Sequence, residues 1–257
     1  TYPQFCALAR AAEVFGERWT PLVVRELLLG PKRFVDLRRR LDGVSASVLT
    51  ERLVHLEAAG LVRRETLDPP AAVAVYALTE DGEAFRPVAH ALIRWGARRL
   101  LPPRRGERVE AEWVRLALEA CARRSPVPER MFLVQATDEA RPPERAIRLV
   151  VRGDAQGTTV EEAASATPRG AARGGVAAPD ATLTADARTV LGLAAGVVSP
   201  AAAARAGQLL VTGDRASAAD FPLLFEVHMP RAAEQRGHRE DERGGRGGRR
   251  KRERTPR

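Results

Sequence analysis

Lysine is almost missing from this 257-residue chain: of 42 basic residues only Lys32 and Lys251 are not arginine. With alanine abundant, the bias reads as GC-rich coding, so the number of arginines carries no functional weight by itself. Cysteine is as scarce. Cys6 and Cys121 are too far apart for a zinc spacing or a disulfide framework and read as two reduced, partly buried thiols. The four histidines, His55, His90, His228 and His238, are isolated, and no HExxH pair or nucleophile-elbow spacing accompanies them. VVRGDAQG at 150–157 reads as a strand turning at Gly153, not as a dinucleotide fingerprint. No catalytic residue, metal site or cofactor is expected, and the protein is not expected to be an enzyme. Long apolar runs are lacking too. The best, 190–204, is broken by Gly192, Gly196, Ser199 and Pro200 and falls short of the roughly 18 residues a membrane span requires. With no signal peptide at the start, the expectation is a soluble cytoplasmic protein without membrane insertion.

What the chain does have is a dense block at 19–64, WTPLVVRELLLGPKRFVDLRRRLDGVSASVLTERLVHLEAAGLVRR. Leu22, Val23, Glu26, Leu27 and Leu29 mark one helix, which Gly30-Pro31 ends with a residue suited to a left-handed turn and one that cannot continue. Phe34, Leu37 and Leu41 repeat at helical spacing and leave Arg38, Arg39 and Arg40 on the open side of a second short helix. After Asp42-Gly43, Ser45 caps a third helix whose Leu49, Leu53 and Leu56 form an apolar seam ending at Gly60. Opposite that seam lie Ser47, Glu51, Val54 and Ala58, with Thr50 and His55 on the flanks and Arg52 nearer the seam. Two strands follow, 61–67 and 73–78, turning at Asp68-Pro69-Pro70. Thr79 then caps a further helix through Trp95, its first turn carrying Glu80, Asp81 and Glu83.

Three short helices and a basic hairpin in this order form the layout of a winged helix-turn-helix. The N-terminal half of the third helix is the part that meets base edges, which makes Ser47, Thr50 and Glu51 the candidate readers, with Ser45 at its cap. Arg52 is placed to snorkel to phosphate, Arg33, Arg38 and Arg39 to fix register, and Arg63 and Arg64 to reach phosphate or minor groove from the wing.

From Cys6 to about residue 101 the chain resembles the HxlR-type family of bacterial winged-helix transcription regulators. The likeness is carried by Cys6, Gly16, Trp19, GPKRF at 30–34, VLTERL at 48–53 and YALTEDG at 76–82, in order and nearly without gaps. It implies a homodimer, paired through the helices before and after the winged core, on an inverted-repeat operator in double-stranded DNA. Cys6 coincides with a cysteine that some members use to sense oxidants or electrophiles, a role that requires exposure and a lowered pKa.

At 257 residues the chain is too long for one winged helix and long enough for two ordinary domains. Its formal charge of +9 is uneven: +3 over 1–100, zero over 101–230 and +6 over 231–257. The middle is not built for DNA. Arg104 and Arg105 after Pro102-Pro103 read as a linker, 102–107, and 110–124 as an amphipathic helix with Trp113, Leu116, Ala117 and Ala120 on one side. Strands are expected at 131–136 and 146–151, pairing antiparallel, then a short strand at 182–184, a helix at 185–195, a second helix from Pro200 capped by Ser199, and a strand at 208–212. Ala218, Phe221, Leu224 and Phe225 give a last helix its apolar face, with Pro222 kinking or delaying it.

Residues 108–228, most specifically 180–214, are similar to sterol-carrier-protein type domains, which implies helices closing over a five-stranded sheet around an apolar tunnel. On that likeness Leu191, Leu193, Val197, Leu209, Phe221 and Leu224 line a pocket for a hydrophobic effector, or simply fill a core. The stretch 165–178 is rich in Gly, Ala and Arg where a strand is expected. Residues 229–257, with RGGRGGRRKRER, read as a disordered basic tail, either merely solvated or an electrostatic arm for nucleic acid.

The expected fold class is thus α+β: a winged helix-turn-helix over 1–101, mostly helical with a β-hairpin wing, then an α/β sandwich-like sterol-carrier-type domain and the tail. The expected function is a homodimeric DNA-binding transcription regulator with a hydrophobic effector. The alternative is a lipid or hydrophobic-metabolite carrier that uses the winged helix only for dimerisation.

Overall fold

The structure, a computed structural model, describes residues 1–68, 72–100, 104, 106–138, 146–163 and 178–227. The hairpin tip at Pro69-Pro70, residues 102, 103 and 105 of the 102–107 linker, all but the last residue of 165–178 and the basic tail lie outside the described residues.

Four helices come first: α1 (Ala7–Phe15), α2 (Thr20–Leu28), α3 (Phe34–Arg40) and α4 (Ala46–Ala58). Pro21 starts α2, where its missing N–H costs nothing. Gly30 follows at φ 110°, a conformation that strains an L side chain, and so closes the helix. Ser45 caps α4, its Oγ accepting from Val48 N at 3.2 Å. The wing is the antiparallel pair β1 (Val62–Thr66) and β2 (Ala74–Leu78), with Arg64 opposite Tyr76.

The single helix expected from 79 to 95 is two, α5 (Glu80–Glu83) and α6 (Arg86–Ala97). Pro87 has no N–H to return to Glu83, so the chain bends at Ala84-Phe85 and stacks Phe85 on Phe15 with ring centroids 3.9 Å apart. Gly82 permits the sharp entry, because a Cβ there would lie 2.1 Å from Leu61 O. Val23, Leu27, Leu37, Leu49, Leu53, Leu56 and Leu78 form the core of this half.

The second half runs α7 (Ala111–Cys121), β3 (Arg130–Thr137), β4 (Ile147–Asp154), β5 (Gly157–Glu162), β6 (Ala181–Asp186), α8 (Ala187–Ala194), α9 (Pro200–Arg205), β7 (Leu209–Gly213) and a 3₁₀ helix, Ser217–Leu224. Its sheet has the order β5-β4-β3-β6-β7, antiparallel except for the parallel pair β3 and β6. Phe132, Val134, Leu149, Val151 and Leu183 alternate along the strands onto one face, which Val114, Leu118, Val190, Leu193, Phe221 and Leu224 cover from α7, α8 and the 3₁₀ helix.

The details of this half correct several expectations. The chain turns at Ala155-Gln156, not at Gly153, because Asp154 Oδ1 accepts from the backbone of Gln156 and Gly157 at 2.7 and 3.1 Å. A fifth strand, β5, therefore returns along β4. The helix expected from 185 starts at Ala187, since Asp186 is its cap and accepts from Thr189 N at 2.9 Å. The last helix is 3₁₀ throughout, with Pro222 inside it.

The halves meet through α7, which packs along α6 and lends Leu116 to the winged-helix core. Around that contact lies a polar network. Glu26 is 0 % exposed on α2; its Oε1 accepts from Arg25 Nη2 at 2.7 Å and from Trp113 Nε1 at 2.8 Å, while Arg40 Nη1 stands 3.8 Å from its other oxygen. Arg25 lies over the Trp113 ring, 4.0 Å from its centroid. Arg40 also pairs with Glu112 and approaches Glu110, and Lys32 reaches Glu112 at 3.4 Å. Glu119 draws together Arg86 at 3.2 Å, Arg115 at 2.8 Å and His90 at 3.5 Å.

Candidate nucleic-acid interface

Helix α4 owes its orientation to Leu49, Leu53 and Leu56, which are buried to about 1 % or less and fix the opposite side outward. On that side Ser45, Ser47, Thr50 and Glu51 are all exposed. Thr50 Oγ1 donates to Ala46 O at 2.9 Å, the back-bond common for threonine in helices. In this rotamer the hydroxyl offers lone pairs and the side chain a methyl group. Ser45 and Ser47 share a hydroxyl contact of 3.0 Å at the helix start. Glu51 pairs with Arg52, so the acid at the reading face carries its own counter-charge.

Arg52 itself is only 11 % exposed and also reaches Glu17 at 3.4 Å, tying α4 to the loop before α2. Contact with phosphate from this position requires those two pairs to open. Arg33, Arg38 and Arg39 are exposed on and before α3. Arg39 makes an i, i+3 pair with Asp36 at 3.0 Å, whereas Arg33 and Arg38 have no side-chain partner among the described residues. Arg40, expected on the same open side, is turned inward because α7 brings Glu110 and Glu112 to it.

The wing arginines are held within the hairpin. Arg63 donates to Leu78 O at 2.6 Å and to Glu65 at 3.0 Å. Arg64 donates twice to the Tyr76 hydroxyl, at 2.6 and 3.0 Å, with Glu57 at 3.9 Å. An acidic group therefore stands beside each, although both remain more than half exposed.

The two thiols differ, where the sequence reads both as partly buried: Cys6 is exposed at the start of α1 and Cys121 is buried at the end of α7. Burial pushes the Cys121 thiol above its ordinary pKa, with the nearby Arg94 charge only partly opposing it. Of the apolar set in the second half, Leu193, Leu209, Phe221 and Leu224 sit in the core, Leu191 packs half-buried against it, and Val197 is 58 % exposed beyond α8. Leu193, Phe221 and Leu224 thus share the layer between sheet and helices. Tyr2, Phe5 and Leu8 near α1, and Val88, Leu92 and Trp95 along α6, leave large apolar side chains in solvent.

Sequence reasoning missed the junction network. Its one signal is Glu26, an acid on the apolar stripe of α2, which calls for cationic partners from elsewhere in the chain.

A family model described as HxlR-like helix-turn-helix matches residues 14–103. YvaP of Bacillus subtilis strain 168, described as an uncharacterized HTH-type transcriptional regulator, is 34 % identical over 86 residues, covering 34 % of this chain and 80 % of that protein. YkvN of the same organism, described in the same way, is 35 % identical over 91 residues, covering 35 % and 77 %. The solved reduced form of the transcriptional regulator YodB from B. subtilis is 30 % identical and covers 39 % of this chain and 100 % of that one, with a TM-score of 0.34.

Proposed function

The chain belongs to the HxlR-like helix-turn-helix family, and on that premise we propose that it is a DNA-binding transcription regulator acting as a homodimer on an inverted-repeat operator. The observation that carries this reading is the outward face of α4, where Ser45, Ser47, Thr50 and Glu51 stand exposed, together with Arg33 before α3 and Arg38 on it, which are exposed and have no side-chain partner among the described residues. Among the described residues the second half makes its polar contacts with this unit at Arg25, Glu26, Lys32, Arg40, Asp42, Arg86, His90 and Arg94, and none of the proposed DNA contacts is among them.

In this reading α4 lies in the major groove, Thr50 and Ser47 contribute to base choice, and Arg33, Arg38 and Arg39 fix register on phosphates. The exposed apolar residues of α1 and α6 support pairing of two copies through these helices. A two-fold dimer presents its α4 helices about one helical turn apart. Arg63 and Arg64 reach phosphate only by leaving Glu65 and Tyr76, so they contribute less than the α3 arginines. The exposed Cys6 supports a redox input, which a Cys6→Ser variant tests: operator binding that responds to oxidant in the parent stops responding.

The five-stranded sheet with helices on one face supports reading the second half as a sterol-carrier-like effector module. The carrier alternative differs in one respect: it predicts no salt dependence on a random duplex. Selection of bound fragments from a genomic DNA pool tests the regulator reading. Enrichment of a two-fold repeat with half-sites about one turn apart is expected; recovery of unselected sequence contradicts it.

A further inference from the structure

Between the end of α6 and the end of α7 a groove of about 420 Å³ opens, with Arg94, Trp95, Arg98, Cys121, Arg124 and Glu226 on its walls. Its size falls in the range of roughly 300–1,000 Å³ typical of small-molecule sites. Three arginines and one glutamate are among its lining residues. Arg94 is anchored by donating to Ala120 O at 2.8 Å, where it also satisfies a carbonyl in the last turn of α7. Arg98 caps the end of α6 and Arg124 lies in the loop after α7; both are exposed and have no side-chain partner among the described residues.

Trp95, Ala120, Cys121 and Ala122 make up the rest of the lining. Trp95 is 58 % exposed, with Arg99 stacked on its ring at 3.8 Å. Cys121 contributes a thiol that burial keeps protonated at neutral pH, so it adds no negative charge. A guanidinium fork matches a carboxylate bidentately, and an indole face matches a planar ring.

We propose that this groove binds a planar aromatic carboxylate, its acid held between Arg98 and Arg124 and its ring against Trp95. This places an effector at the junction of the two halves, separate from the sheet-and-helix core of the second. Trp95 also ends the exposed Val88 and Leu92 stripe of α6, so an occupant touches the helix proposed to pair in the dimer. That coupling rests on the dimer reading; binding in the groove does not.

The test is calorimetric titration of the full-length protein, without DNA, by 2-naphthoate, neutral 2-naphthamide and inorganic phosphate. Saturable binding of 2-naphthoate is expected, with the amide and phosphate each weaker by about tenfold or more, since each lacks one of the two contacts. The double variant Arg98→Ala, Arg124→Ala is expected to weaken 2-naphthoate by about tenfold or more with an unchanged thermal melt. Equal affinity for the amide, equal affinity for phosphate, unchanged affinity in the arginine variant, or no saturable binding each overturns the proposal. Because no arm contains DNA, its failure leaves the regulator reading untouched, and failure of DNA binding leaves this result readable.

Discussion

At the scale of single residues, the roles divide by what each side chain already holds. Thr50 keeps its proton on Ala46 O, so it meets a base as an acceptor or through its methyl group. Thr50→Ala is expected to shift preference at one operator position by about 1–3 kcal/mol, the worth of a good base contact. Competition binding with single-position operator variants checks this, and a uniform loss across all positions contradicts it. The two cysteines give a second prediction. Exposed Cys6 is expected to take up iodoacetamide at neutral pH well before Cys121, whose thiol is buried and protonated; peptide mass spectrometry over time reads the order. Much of this face is legible in the sequence, because a capped helix with one apolar seam dictates which side chains point out. The fates of Arg40 and Arg52 are not legible, because their partners Glu112 and Glu17 lie on other elements.

At the scale of elements, α7 is the piece that joins two folds. Leu116 enters the winged-helix core from the second half, so Leu116→Ala is expected to cost about 2–5 kcal/mol. Urea unfolding of this variant, followed by circular dichroism and tryptophan fluorescence, is expected to show one coincident transition shifted to lower denaturant. Separate transitions would mean that the halves are independent. Glu119 gives the same contact a pH dependence. Burial alone would raise its carboxyl, but His90, Arg115 and Arg86 together hold it below the usual carboxylate range. The unfolded chain then takes up the proton first as pH falls from about 4.3, so stability from Glu119 is present above that value and lost as pH drops through the folded one. Thermal melts between pH 7 and 3 are expected to show a shallower acid decline for Glu119→Gln. Strands β3, β4, β6 and β7 are legible from alternation and flanking turns. Strand β5 is not, since GTTVEE pairs only along its edge with β4 and shows little apolar periodicity. The partners of Glu26 are likewise opaque, because Trp113, which donates to its carboxylate, lies 87 residues away.

At the scale of the whole molecule, the reading face of α4 and the α7 junction involve different residues, so among the described residues contact with the second half leaves the α4 face open. The formal charge follows a related division, with 1–100 at +3 and 101–230 neutral. The central claim is that α3 and α4 meet the DNA duplex. The most direct test is a salt titration of duplex binding for the parent and for the triple variant Arg33→Ala, Arg38→Ala, Arg39→Ala, both full length so that the basic tail contributes equally. The account predicts a steep log-log slope in the parent, made shallower in the variant by about 0.9 for each phosphate contact removed. Identical slopes in the two proteins, or no slope in the parent, would contradict it.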